Sequence, residues 1–391
     1  MTAAPAPWQL RPDEGLARAG WPALVAGVGG GALCAAGALL DPGQFLRSYL
    51  VAYLFFVGST LGCLAVLMIQ YVTGGAWGAA VRRLLESGAR TLPLMALLFI
   101  PVALGVSDLY EWARPDARND PLLVHKQLYL NVPFFRARAL LYFAAWIVVM
   151  RLLVRWSNEQ DASGSPRAAE RLELMSRGGL VLLGLTMTFA SIDWGMSLEP
   201  HWFSTIYGIL FMGGSVLSAF AIVIAAAASL ARRTPVAAVV TADHFHDLGK
   251  LLLAFVMLWA YFALSQFLIV WSANLPEEIP WYLKRLHGGW AWLALGLVVF
   301  HFAMPFVLLL SRSLKRRRRT LAGVAVALIV VRFADVFWMI TPAFEHRGLA
   351  LHWLDVAAVV AIGGLWLAFF VRHLASAPVV PLRDPALPLE G

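Results

Sequence analysis

The sequence predicts an all-α integral membrane protein of ten transmembrane helices. Of the 391 residues, 60% are hydrophobic and only 14% are charged, where a soluble domain carries about 25% charge. The mean hydropathy is +0.72. The apolar residues also fall in unbroken runs of about 20, the length that crosses a bilayer as a helix. Barrel strands would alternate instead, and helices satisfy their own backbone groups in lipid. This composition excludes a soluble enzyme and a disordered chain.

The spans are expected near 21–40, 46–72, 92–110, 134–156 and 178–195, then 203–230, 250–273, 288–311, 320–342 and 351–373. They form a membrane domain over 21–373, between an N-terminal segment at 1–20 and a C-terminal tail at 374–391. The segment MTAAPAPWQLRPDEGLARAG lacks the basic-then-apolar order of a cleaved signal, so the first run is expected to be a retained span. The tail, PVVPLRDPALPLEG, is too Pro-rich to continue a helix. Most of the 31 Lys and Arg lie on the tails and the even-numbered loops, so the positive-inside rule puts both termini in the cytoplasm. The formal charge of +8, including the run KRRRR at 315–319, then serves topology and contact with membrane lipids, not nucleic acid.

The segment GAWGAAVRRLLESGARTLP is expected to lie on the membrane surface. Arg82, Arg83, Glu86 and Arg90 would face water there, with Trp77, Val81, Leu84 and Leu85 facing lipid. Two long loops are expected, near 110–133 and 157–176, the second a mobile linker by composition. Trp112, Trp156, Trp202, Trp271, Trp281, Tyr282 and Trp353 cluster near span ends, as interfacial aromatics do. Cys34 and Cys63 sit in apolar runs as packing residues, and neither an iron–sulfur nor a C-x-x-C-H haem motif occurs.

Charges inside spans are costly, about 2.5–3.5 kcal/mol each on insertion scales, and so need a reason. In the ninth span, Arg332 and Asp335 share a helix face at i, i+3. They are either an ion pair fixing helix packing or a charge-compensated station on a proton route. The seventh span opens with ADHFHDLGK, bringing Asp243, His246, Asp247 and Lys250 to the inner mouth, with His246 facing Lys250 and Asp243 facing Asp247. A metal there lacks a complete ligand set. His301 lies inside the eighth span. His352 and Asp355 form an i, i+3 pair at the outer start of the tenth, where a carboxylate beside an imidazole suits proton transfer. In FASIDWGMSLEPHWFSTIYG, Asp193, Glu199 and His201 stand near the outer face with no Lys or Arg in the loop to neutralise them. These groups suggest two half-paths meeting near Arg332 and Asp335. His287 and His301, fourteen apart and about 21 Å along one helix, have the spacing of a di-haem pair, but no second helix supplies a matching pair.

The segment DWGMSLEPHWFSTIYG, followed by HFHDLGKLLLAFVMLWAYFALSQFLIVWSANLPEEIPWYLKR, resembles the F subunits of alternative complex III, an NrfD-like family of polysulfide-reductase-type membrane subunits. The resemblance implies two four-helix bundles, spans two to five and six to nine, with two peripheral helices. It implies a subunit of a bacterial quinol:cytochrome c or quinol:acceptor oxidoreductase in the inner membrane. Its partners would be a paralogous quinol-oxidising NrfD-like subunit, an iron–sulfur subunit, multihaem cytochrome c subunits and, in some assemblies, a terminal haem-copper oxidase. Haem c and iron–sulfur clusters would reside in those partners, with none bound by this chain. Quinone or quinol is the one small molecule it would itself meet. A proton path is the role expected for the F subunit, with direct quinol binding as the alternative. A secondary transporter or an inert anchor is the remaining class, but the prolines at 101 and 305 are not related by a repeat.

Overall fold

The computed structural model describes residues 8, 10, 15–232, 234–344 and 348–384. Most of the N-terminal segment before residue 15, and the tail beyond residue 384, lie outside the described residues. Ten helices are long and apolar enough to cross a membrane. They are α1 (Gly15–Leu40), α2 (Pro42–Thr73), α3 (Ala76–Leu104), α4 (Val132–Ser163), α5 (Pro166–Leu198), α6 (Tyr207–Leu230), α7 (Ala242–Ala273), α8 (Trp290–Leu310), α9 (Arg318–Ala343) and α10 (Trp353–Ala375). No strand occurs among the described residues. The start of α1 and the end of α10 share one face, called here the terminal face. The opposite side is the distal face.

Two helices form the spine: 94% of the most apolar stretch of α2 is buried, and 78% of that of α6. Around them α2 packs on α3, α5, α6 and α10, α3 and α5 pack on α4, and α6 packs on α5, α7 and α9, with α8 between α7 and α9. Helices α1 and α10 form a close hairpin laid against α2. With lipid as apolar as Leu, such contacts depend on small residues that let backbones approach. A Cβ at Gly62 would fall on the Ser215 carbonyl, and one at Gly364 would stand 2.5 Å from the Gly27 backbone nitrogen. Helix α2 starts cleanly because Asp41 accepts from Gln44 N at 3.0 Å and Pro42 occupies the first turn.

Three expectations are corrected by this packing. The segment after Gly75 is no surface helix: it is the first part of α3, and Val81, Arg82, Arg83, Leu84, Leu85 and Glu86 are all buried against protein, not water or lipid. Its amphipathic pattern was real, but the polar stripe faces a buried charge cluster. The third span therefore starts at Ala76 instead of near residue 92, and it runs in short pieces broken by Thr91, Phe99 and Gly105. The linker at 157–176 is helical almost throughout. Helix α4 runs to Ser163, Gly164 turns at φ 67°, and α5 begins at Pro166. A residue in the left-handed region followed closely by proline ends one helix and starts the next, so two residues suffice for the turn. The aromatic belt holds only in part: Trp271 and Trp353 are exposed, whereas Trp112, Trp202, Trp281 and Tyr282 are buried.

Candidate functional site

The interior site lies where α9, α7 and α8 meet beside α6. The i, i+3 spacing turns Arg332 and Asp335 to the same side of α9, and they form an ion pair with both side chains buried. Asp335 Oδ2 also accepts from Trp259 Nε1 of α7 at 3.0 Å. The Arg332 guanidinium lies flat against α6, where a Cβ at Gly214 would stand on its Cζ. The sequence gives glycine at the position that leaves room for the cation.

His301 completes the group from α8. It is fully buried, its Nδ1 is 4.0 Å from Asp335 Oδ2, and its ring centroid is 3.9 Å from that of Trp259. At 4.0 Å the imidazole touches no oxygen directly, and neither ring nitrogen has a hydrogen-bond partner among the described residues. His301 sits in a single π-helical turn, Val298–Ala303, a local widening that recurs at functional sites. The arrangement holds a carboxylate between a guanidinium and an imidazole, all three buried.

The outer groups separate into three pairs, contrary to the expectation of one unneutralised cluster. Asp193 is fully buried near the end of α5. It accepts from Arg138 Nε and Nη2 at 2.8 and 2.9 Å and from Tyr142 Oη at 3.0 Å. Arg138, from the first turns of α4, is held 3.9 Å over the Tyr129 ring. Glu199 pairs with Lys284 Nζ at 3.0 Å and Arg285 Nη2 at 2.9 Å. Burial would raise the Glu199 carboxyl, but the two cations outweigh it and hold it below its ordinary 4.5. Arg285 is itself fully buried, 3.6 Å over the Trp281 ring, and donates to the Trp281 and Met339 carbonyls. His201 meets Asp120 at 2.7 Å, and this hydrogen bond lowers the Asp120 carboxyl. The neutralising cations come from other elements, which a count within one loop does not see. His201 also does not open a helix, since α6 starts at Tyr207.

A cleft of about 610 Å³ opens on the distal face beside Glu199, His201, Trp202, Trp281 and Lys284. Tyr207, at the start of α6, is buried and meets the cleft-lining Trp202 edge to face at 5.9 Å.

His352 and Asp355 also differ from expectation. Asp355 accepts from the His352 backbone nitrogen at 2.8 Å and from Ser48 Oγ at 2.6 Å, while His352 Nδ1 accepts from Leu354 N at 3.3 Å. Both side chains cap the start of α10, so the imidazole and the carboxylate are not partnered to one another. On the terminal face, Lys250 pairs with Asp247 at 2.8 Å and Asp243 pairs with Arg316 of the segment before α9. His246 Nδ1 is 3.8 Å from Asp247. These side chains, apart from His246, are substantially exposed and make a solvated mouth. No group of three metal-ligating side chains occurs among the described residues.

The structure thus brings together Arg332, Asp335 and His301 and leaves the two mouths apart. Sequence reasoning missed Trp259, Tyr207, Arg138 and Arg285, and also a buried cluster on the terminal side. There Arg82 pairs with Asp161 at 3.1 Å and Asp384 at 2.9 Å, and Arg83 pairs with Glu86 and Asp161. Arg138, five residues inside an expected span, carried the same signal as Arg332. Neither a scan against models of known protein families nor a search of curated proteins finds a match for this chain.

Proposed function

We propose that this chain is a proton-conducting membrane subunit of a bacterial respiratory quinol:cytochrome c or quinol:acceptor oxidoreductase of the alternative complex III type. The observation that carries the reading is the buried Arg332–Asp335–Trp259–His301 group, because an ionisable cluster in a membrane interior marks an ion or proton route by default. The motifs at 193–208 and 244–285 support the assignment to that complex. The packing neighbours of α2 to α5 and of α6 to α9, with α1 and α10 outside, support the two-bundle NrfD-like arrangement. The distribution of Lys and Arg supports cytoplasmic termini in the bacterial inner membrane.

In this reading Asp335 is the central relay. Arg332 offsets the cost of its charge, and Trp259 fixes the oxygen that Arg332 also uses. His301 takes a proton on one ring nitrogen and releases it from the other after a side-chain rotation closes the gap to Asp335. The inner mouth is Asp243, His246, Asp247 and Lys250. The outer mouth is the Glu199–Arg285 pair reached past Tyr207, with His201 beyond it. Asp193 and Asp355 hold helices in place. The chain performs no bond chemistry. Iron–sulfur clusters, c-type haems and quinol oxidation belong to the partner subunits.

A second reading keeps the complex and makes the distal cleft a direct quinol site. It is favoured by the aromatic side chains of Trp202, Trp281 and Phe344, which stand in the cleft among ionisable groups such as Glu199, His201 and Lys284 that could bond a quinol head. A mild-detergent pull-down with visible spectroscopy tests the complex: multihaem cytochrome c and iron–sulfur subunits co-purify, and a colourless lone protein would overturn the assignment. Within the complex, Asp335→Asn is expected to spare quinol oxidation and lower the protons moved per electron. An unchanged ratio would remove Asp335 from the route. A quinone-analogue photolabel landing on the distal cleft of this chain would favour the second reading.

A further inference from the structure

A second cavity, of about 580 Å³, is lined by α2, α6, α9 and α10 with Leu16 of α1, and it meets α9 at Ile329, Val330 and Phe333, on a different side of that helix from Arg332 and Asp335. Its size is that of a small-molecule pocket, about 300–1,000 Å³. Its floor is aromatic: Phe55 and Phe333 meet edge to face at 5.6 Å, and Phe56 lies 6.2 Å from Trp366. A Cβ at Gly363 would stand 2.5 Å from Phe56 Cζ, so a glycine on α10 leaves the Phe56 ring its place in this wall. Val330, at the rim, is 64% exposed, while Phe55, Trp366 and Phe370 are buried. The groove is therefore open along one side and rigid at its base. Every lining residue is apolar, so no polar group inside it could orient a polar ligand.

The charge lies at one end. Toward the terminal face, the wall formed by Ile222, Ala225 and Ala226 runs up to Ala231, whose carbonyl accepts from Arg318 Nη1. That bond ties the end of α6 to the start of α9, the helix that supplies the opposite wall. Arg232 and Arg319, both exposed, flank this tie, and the loop before α9 carries Arg312, Lys315, Arg316 and Arg317 as well. An apolar slot with arginines at its terminal end has the polarity of an anionic lipid: hydrocarbon below and phosphate above. Basic clusters beside a membrane helix attract anionic headgroups near the surface.

We propose that this groove holds one acyl chain of an anionic glycerophospholipid, whose phosphate is bound by Arg232 and Arg319 at the terminal face. The inference rests on the ten helices crossing a membrane, and it is independent of the redox assignment. It is tested by native mass spectrometry of the full chain, alone or in its complex, delipidated in mild detergent and then exposed to phosphatidylglycerol or phosphatidylcholine of equal chain length. The wild type is expected to retain phosphatidylglycerol at least tenfold better. Ala225→Phe and Val330→Trp, which fill the groove from opposite walls, should each abolish that preference. Val181→Phe, at an equally exposed position on α5, should leave it intact. Arg232→Gln with Arg319→Gln should reduce the preference without unfolding the chain, since both side chains are exposed. Equal retention of both lipids by the wild type, or retention unchanged in both groove-filling variants, would reduce the groove to ordinary annular contact and overturn the proposal. Recovery of an isoprenoid quinone in place of phospholipid would overturn it in favour of a quinone-tail site.

Discussion

Removing the Asp335 carboxylate gives the sharpest test of the interior site. Asp335→Leu leaves the Arg332 guanidinium charged and without its carboxylate, pinned against Gly214 where it is 2% exposed. Breaking a buried ion pair from one side costs about 3–5 kcal/mol. The orphaned Trp259 Nε1 adds about 1–3 kcal/mol. The single variant should therefore lose at least two powers of ten in its folding equilibrium, at about 1.4 kcal/mol per tenfold. The double variant Asp335→Leu with Arg332→Met removes both charges together and should return most of that loss, since apolar replacement of a buried pair is often neutral or stabilising by about 1–4 kcal/mol. The assay is equilibrium unfolding in mixed micelles, arranged as a double-mutant cycle, with proton flux measured on the same four proteins. A coupling of about 2 kcal/mol or more is expected. A relay residue predicts that the double variant regains stability and not flux, whereas a merely structural pair regains both. Single costs below about 1 kcal/mol that simply add would refute the reasoning, because they are the signature of a water-screened pair.

Gly214→Ala should push the guanidinium off its seat and destabilise by about 1–3 kcal/mol, as overpacking does. Gly184→Ala, with nothing within 4 Å of the added methyl, should stay within about 0.5 kcal/mol in the same unfolding assay. Trp259→Phe keeps the ring over His301 and removes the donor to Asp335. It should cost about 1–3 kcal/mol and move the pH profile of proton flux, which an effect on packing alone would not do. Glu199 has a folded-state acidity held below its ordinary 4.5 by Arg285 and Lys284. Its contribution to stability is therefore present above that ordinary value and lost as pH falls through the lowered one. Thermal melts of wild type should drop between pH 5 and lower pH, and Glu199→Gln should be less stable at neutral pH with a flatter acid limb.

The helices and one feature of the interior site were legible because they depend on local rules. Unbroken apolar runs located the ten spans, and the i, i+3 spacing put Arg332 beside Asp335. His301 was visible only as a histidine in a span, since its approach to Asp335 depends on how α8 packs. The partners of Asp193 and Glu199 were not legible. Arg138 precedes Asp193 by 55 residues and Arg285 follows Glu199 by 86, and no local pattern encodes such pairings. The segment around Arg82 misled because a helix with one charged face looks the same whether that face meets water or a buried carboxylate cluster. The turn at Gly164 reads as a linker because its composition is polar. That polarity belongs to helix ends that extend past the apolar core.

The length of that hairpin has a practical consequence. Helix α4 has 32 residues and the unbroken α-helical part of α5, Pro166–Trp194, has 29, about 48 and 44 Å at 1.5 Å per residue, against a hydrocarbon layer of about 30 Å. Their distal ends are fixed by the Arg138–Asp193 pair, so the excess emerges on the terminal side as a two-residue-tipped prong held close to its tip, where Asp161 pairs with Arg82 and Arg83 and Arg383 donates to the Ala162 carbonyl. A folded insert joined at Gly164 and Ser165 through helical ends would be held without swivel. It would mark the sidedness of the membrane and provide mass outside the detergent belt for aligning particle images.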